Sequence, residues 1–199
     1  PPDGKNIYIP YVKGNLALLQ YDYDGKTGKV IPLEPKDAKP PLGSGPRHMA
    51  YHPTLPMVYF SNEQGIGLSS YRREANGQLK VEQDLSILPP GMSKIGLSAS
   101  DLLITPNGKF LFAGLRGHRQ DFDRISRYRV LKNGKAEFIG LTKADKIPWG
   151  LTLSPDGKFL LVSATSGASL TAYRISSHGD LKKVASLAWD SGMSDLVTR

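Results

Sequence analysis

Short apolar runs alternate with polar turns along the whole chain. Examples are MVYF at 57–60, FLF at 110–112 and FLLV at 159–162, and each follows a tight turn. Apolar runs of this length, bounded by Gly, Pro, Asn and Asp, are typical of β-strands. The 3.6-residue period of an amphipathic helix is missing throughout, so the pattern predicts an all-β chain with very little helix.

The turns form an internal repeat. They read PDGK at 2–5, PNGK at 106–109 and PDGK at 155–158, with a degenerate PTLP at 53–56, and their prolines lie 51, 53 and 49 residues apart. Proline presets φ for a turn, and Asp-Gly or Asn-Gly tolerates positive φ, so each copy should join two antiparallel strands. A repeat of about 50 residues fits a four-stranded propeller blade.

Two further strands complete each repeat. The third strand carries a tyrosine at one fixed place, predicted to pack between blades: Tyr21, Tyr71, Tyr128 and Tyr173. The fourth follows another glycine turn. We therefore predict an all-β propeller of four-stranded antiparallel blades, with strands A to D running outward from the axis. About four blades are present, at 1–43, 44–95, 96–145 and 146–192, with a closing strand at 193–199.

The two ends of the chain are complementary. The sequence opens inside an A–B turn and closes on a segment, 193–198, that resembles a lone strand A. That strand could pair with the N-terminal strands and close a four-bladed ring, since closure removes exposed edges. Alternatively, it closes onto a blade that lies upstream. We expect the second arrangement, because a natural chain rarely begins within a turn and four such blades would close over a narrow axis.

Composition narrows the function classes. The 199 residues carry a formal charge of +8 and no cysteine, which excludes disulfide and thiolate chemistry. Lys and Arg are dispersed and accompany no nucleic-acid-binding module, so we predict no nucleic-acid partner and instead a small anionic one. No apolar run is long enough to span a membrane. A cytoplasmic and a periplasmic location both remain open.

Several motifs occur in the order and register of a known family. They are GPRH at 45–48, NE at 62–63, PNGKFLF at 106–112 and RGH at 116–118. With them the chain resembles the seven-bladed lactonase family, which includes bacterial 6-phosphogluconolactonase-like proteins and the fungal carboxy-cis,cis-muconate cyclase. WD40 propellers repeat a Gly-His and a Trp-Asp dipeptide in their blades, whereas this chain has each dipeptide once, at Gly117-His118 and Trp189-Asp190. The resemblance implies that this chain is roughly the C-terminal four-sevenths of a seven-bladed ring.

The resemblance also implies a reaction. We expect a lactonase-like propeller acting on a small anionic lactone or its open-chain acid, by lactone hydrolysis or muconate-type cyclisation. The chain departs from the family at Leu115, where Asn is usual, and at Trp149-Gly150, where a Pro-Arg pair is common and an anion contact is lost. The alternative is a non-catalytic scaffold that binds a partner protein or joins a larger assembly, because fold does not determine function.

Equivalent positions of the repeat predict a site. The B–C and D–A connections of a propeller share one face, so polar residues at those strand ends should converge at the mouth of the central channel. These residues are Arg47, His48, Glu63, Asp101, Arg116 and His118.

Each residue of this set has a predicted role. We assign proton transfer to His48 and Glu63, and substrate binding to Arg47, Asp101, Arg116 and His118, because a guanidinium fork suits a carboxylate or phosphate. No ligand spacing indicates a metal, and no cofactor is expected. The competing interpretation is an ion-pair network that only links blades.

Overall fold

The computed structural model describes residues 3–12 and 17–198. These residues form 15 β-strands and no helix, so this part of the chain contains no helix able to cross a membrane. The strands are β1 (Asn6–Pro10), β2 (Leu18–Asp24), β3 (Lys29–Asp37), β4 (Pro46–Tyr51), β5 (Met57–Asn62), β6 (Gly67–Arg73), β7 (Leu79–Ser86), β8 (Leu97–Ile104), β9 (Phe110–Gly117), β10 (Arg124–Val130), β11 (Ala136–Lys143), β12 (Pro148–Leu153), β13 (Phe159–Ala164), β14 (Ser169–Ile175) and β15 (Leu181–Ala188).

The strands form four antiparallel sheets, which we call blades 1 to 4. Blade 1 contains β1 to β3, and blades 2, 3 and 4 contain β4–β7, β8–β11 and β12–β15, each in chain order. The first strands of blades 2 to 4 are the closest neighbours between blades, because β8 contacts both β4 and β12. Strand A is therefore innermost. The predicted all-β propeller of four-stranded blades is confirmed.

Each repeated turn joins two strands as predicted. In the turn after β8, Thr105 and Phe110 share a backbone hydrogen bond, and Gly108 adopts a φ of 69°. The side chain of Asn107 accepts a hydrogen bond from the Lys109 amide, which explains the choice of Asn or Asp here. The Lys109 side chain is exposed. The first copy begins at Pro2, which lies outside the described residues.

Apolar side chains fill the space between adjacent blades. Three buried clusters join blades 1 and 2, blades 2 and 3, and blades 3 and 4. Tyr71, Tyr128 and Tyr173 of the third strands are buried, one in each cluster. The hydroxyls of Tyr8 in β1 and Tyr59 in β5, which occupy the strand B position of their blades, donate to backbone carbonyls of the next blade. The blades are therefore held together by tyrosines from two strands.

The C-terminal segment runs beside the first strand of blade 4. Residues 192–198 follow blade 4 without a strand assignment, although a strand A was predicted there. The segment lies beside β12, where Thr198 Oγ1 donates to the Leu153 carbonyl at 2.7 Å and the Cα of Asp195 is close to Gly150. It therefore lies next to strand A of blade 4, but no strand of the described residues pairs with it in a ladder. Arg199 lies outside them.

Candidate functional site

The first strands of blades 2, 3 and 4 each contain a bulge at the same place in the repeat. The ladder register shifts between Pro46 and Met49, between Ala99 and Leu102, and between Pro148 and Gly150. The residues inside are Arg47-His48, Ser100-Asp101 and Trp149. An extra residue in a strand bends it locally and redirects its side chains, a device common beside active sites. The bulges gather the candidate residues.

Glu63 joins two arginines from different blades. Its Oε2 lies 2.6 Å from Arg47 Nε and 3.4 Å from Arg116 Nη2. Arg116 Nη2 also donates to the Ala99 carbonyl at 2.9 Å. Because the first pair is within blade 2 and the second crosses to blade 3, the arrangement also contains the inter-blade ion pair expected of a linking network. Burial lowers the pKa of Arg116, partly offset by the Glu63 carboxylate.

Trp149 contacts the same two guanidinium groups. Its ring centroid lies 4.4 Å from Arg116 Cζ and 5.5 Å from Arg47 Cζ, within the range of cation–π attraction. With one carboxylate and two guanidiniums, the cluster carries one excess positive charge. Arg47 Nη1 and Arg116 Nε are buried and have no hydrogen-bond partner among the described residues. The site therefore retains N–H donors available to an anion.

His48 is paired with Asp101 across blades 2 and 3. His48 Nδ1 lies 3.0 Å from Asp101 Oδ1. The carboxylate is fixed in turn by two amides, from Leu102 to Oδ1 at 2.8 Å and from Leu151 to Oδ2 at 2.9 Å. Burial alone would raise the pKa of Asp101, but the hydrogen bonds from His48 and the two amides outweigh it and hold the pKa below its usual range. Asp101 is therefore a stable anion that orients the imidazole.

Serine hydroxyls support the bulges. Ser61 accepts a hydrogen bond from the His48 amide and donates to the Ser100 carbonyl. Ser100 Oγ donates to the Pro148 carbonyl at 2.8 Å. These bonds satisfy buried backbone groups that a regular ladder would otherwise pair. They also tie the bulge of each blade to the next, which fixes His48 relative to Asp101.

The turn before Trp149 is strained. Ile147 adopts a φ of 60°, an unfavourable conformation for a β-branched residue, and Gly45 occupies the equivalent place in blade 2 with a φ of 61°. The Ile147 amide donates to Asp123 Oδ1 at 2.9 Å, and its carbonyl accepts from the Thr165 amide at 3.0 Å. These contacts hold the strained backbone and so set the position of Trp149.

The structure brings together five of the six predicted residues in two contact groups, Arg47–Glu63–Arg116 and His48–Asp101. The sixth, His118, is exposed, and its Nε2 lies 2.8 Å from Ser98 Oγ. It makes no direct contact with either group in the described part of the chain, although Ser98 pairs with Arg116 in the β8–β9 ladder.

The sequence interpretation did not include Trp149 among the site residues. From the sequence, Trp149 indicated only that an anion contact common in the family is lost. The available signal was its place in the repeat, six residues before the turn proline, which is also the place of Arg47 and Ser100. The position of Trp149 in the repeat therefore identifies it as a site residue, whereas its residue type alone does not.

Comparisons with known proteins agree with this architecture. The family profile "Lactonase, 7-bladed beta-propeller" matches residues 1–194. The chain is similar to the 6-phosphogluconolactonase of Pectobacterium carotovorum subsp. carotovorum (strain PC1), with 29% identity over 194 residues, which is 96% of this chain and 56% of that protein. It is also similar to the 6-phosphogluconolactonase of Blochmanniella floridana, with 30% identity over 98% of this chain and 56% of that protein.

A solved structure shows the same fold. The periplasmic gluconolactonase of Pseudomonas aeruginosa superposes with a TM-score of 0.84 at 23% identity, covering 96% of this chain and 53% of that one. The chain thus spans about half the length of the relatives it matches. Since the family profile covers nearly every residue, the chain belongs to the lactonase family of seven-bladed β-propellers.

Proposed function

We propose that the His48–Asp101 pair and the neighbouring arginines hydrolyse the lactone of a small anionic sugar acid. The observation that carries the proposal is the 3.0 Å contact of His48 Nδ1 with an Asp101 carboxylate that is itself fixed by two amides. An imidazole oriented in this way is the usual form of a general base. The names of the relatives, 6-phosphogluconolactonases, support a phosphorylated sugar lactone as the substrate class.

The proposed reaction uses His48 twice. With Nδ1 bonded to Asp101, Nε2 takes a proton from water while the water oxygen attacks the lactone carbonyl carbon. Guanidinium N–H groups of Arg47 and Arg116 meanwhile hold the phosphate or carboxylate of the substrate. When the ring C–O bond breaks, the imidazolium returns its proton to the ring oxygen. Lactone and water thus give one hydroxy acid, and His48 ends neutral.

The contacts divide the remaining residues by role. Glu63 Oε2 faces both guanidiniums, which favours a positioning role over proton transfer for this carboxylate. Asp101 is engaged by His48 and two amides, so orientation of the base suits it better than substrate binding. Muconate-type cyclisation would need an anchored carboxylate and a proton donor at carbon, and the same groups could supply both.

The proposal is tested by turnover of a lactone panel, including 6-phosphogluconolactone, in the full-length protein. His48→Ala should lower kcat by about a hundredfold or more, the usual effect of losing a general base. His178→Ala is the matched control, because His178 is exposed in an outer turn of blade 4 and should leave turnover unchanged. Acid release is followed in a pH-stat, and the rate of spontaneous lactone hydrolysis is subtracted. Unchanged turnover in a folded His48→Ala variant would refute the assignment.

A further inference from the structure

Two like charges lie close together in the site with only one carboxylate between them. Arg47 and Arg116 both face Glu63 Oε2, and a pair of guanidiniums so placed repels. Arg116 is also almost fully buried, with 4% of its side chain exposed, so water screens little of this repulsion. A further interaction is needed to keep the two groups together.

Trp149 supplies that interaction without adding a negative charge. The face of an indole attracts cations through its quadrupole, and both guanidiniums lie within 5.5 Å of the ring centroid. A second carboxylate in its place would hold the arginines equally well, but it would cancel the excess charge. With a neutral ring the cluster keeps one net positive charge.

The donor inventory indicates the same ligand chemistry. Arg47 uses Nε for Glu63, and Arg116 uses Nη2 for Glu63 and Ala99. The buried Arg47 Nη1 and Arg116 Nε have no partner among the described residues. Buried N–H groups are almost always paired in proteins, so these donors point to an acceptor other than the described residues.

We propose that Trp149 is a positioning residue that holds Arg47 and Arg116 together as one receptor for a single anionic group, a phosphate or a carboxylate. The inference rests on the proposed function only for the identity of the molecule that carries this group. It assigns Trp149 a role in substrate selection, because two arginines held together favour a substrate with an anionic group over a neutral one.

The test measures anion binding without turnover. Inorganic phosphate and gluconate are titrated into the full-length protein by calorimetry, in the wild type and in Trp149→Leu, Trp149→Gln and Trp149→Phe. The two variants without a ring should weaken binding of the preferred anion about tenfold, the loss expected for two cation–π contacts. The Phe variant should recover most of the affinity. Trp189→Leu, at an exposed tryptophan, is the control and should bind as the wild type does.

Steady-state kinetics separates positioning from general damage. With an anionic lactone, Trp149→Leu should raise KM about tenfold and change kcat by less than about twofold, since the polar contacts of His48 and Asp101 do not involve the Trp149 side chain. Normal anion affinity in folded variants without the ring would overturn the inference. Weakened anion binding in a protein that turns over no lactone would sustain the role of Trp149 and refute the proposed function alone. Lactone turnover by the wild type, together with normal anion binding in the variants without a ring, would refute the role of Trp149 and leave the proposed function standing.

Discussion

Gly114 in β9 faces the bulge of β8 and has no room for a side chain. A Cβ at this position would lie 2.2 Å from Ser100 Oγ and 3.0 Å from the Pro148 carbonyl oxygen. Ser100 is completely buried and donates to that same carbonyl at 2.8 Å. Gly114→Ala should therefore displace the Ser100 hydroxyl and break the hydrogen bond that links the bulges of blades 3 and 4.

The size of the effect follows from two costs. A buried carbonyl left without its donor destabilises the fold by about 1–3 kcal/mol. Forcing a methyl group into a packed interior costs a further ~1–3 kcal/mol. We expect Gly114→Ala to lower the free energy of unfolding by about 2–6 kcal/mol, a large share of the ~5–15 kcal/mol that stabilises a typical domain. Because Asp101 follows Ser100 in the bulge, turnover should fall as well.

Urea denaturation of the full-length protein measures the loss. The double variant Ser100→Gly/Gly114→Ala removes the clashing hydroxyl and should recover at least ~1 kcal/mol relative to additive single effects. Gly25→Ala is the control, since a Cβ there meets only the Tyr23 ring at 3.6 Å, and it should stay within ~0.5 kcal/mol of the wild type. An unchanged midpoint for Gly114→Ala, or no recovery in the double variant, would show the packing argument to be wrong.

Two further predictions concern the charged groups. Arg116→Lys keeps the charge but loses the fork, so KM for an anionic lactone should rise about tenfold in steady-state assays, and a normal KM would exclude a bidentate contact. Burial would raise the pKa of Asp101, but hydrogen bonds from His48 and two amides hold it below the usual range of a carboxyl group. The anionic form therefore stabilises the fold above the ordinary pKa, and the contribution is lost as the pH falls through the folded-state pKa. Thermal melts should therefore show Asp101→Asn less stable than wild type near neutral pH and equal to it in strong acid; a gap that persists in strong acid would contradict the shift.

Most of the fold was predictable because its determinants are local. The Asn107-Gly108 turn constrains φ by itself, and strands joined by short turns pair as antiparallel neighbours. The strand expected at 193–198 stays a prediction, because it depends on a ladder partner that is distant in sequence. A strand is defined by its ladder, and this segment has a suitable pattern but no ladder partner among the described residues.

The site was predictable in part. Equivalence of repeat positions was enough to expect Arg47, Glu63 and Arg116 to meet, as their contacts show. The bulges were not predictable, because an extra residue in a ladder depends on the strand opposite it. Trp149 was missed for the same reason, since the direction of its ring is set by a bulge that the sequence does not reveal.

The bulges also separate the parts of a blade that hold it together from the parts that meet a ligand. The residues on either side remain in the ladder, whereas those inside the bulge contribute mainly side chains. Exchanging Arg47 or Trp149 should therefore alter the charge and shape of their cluster and leave the flanking ladder bonds in place. Because Arg47, Arg116 and Trp149 come from three different blades, a substitution in one blade changes a contact that the other two blades share.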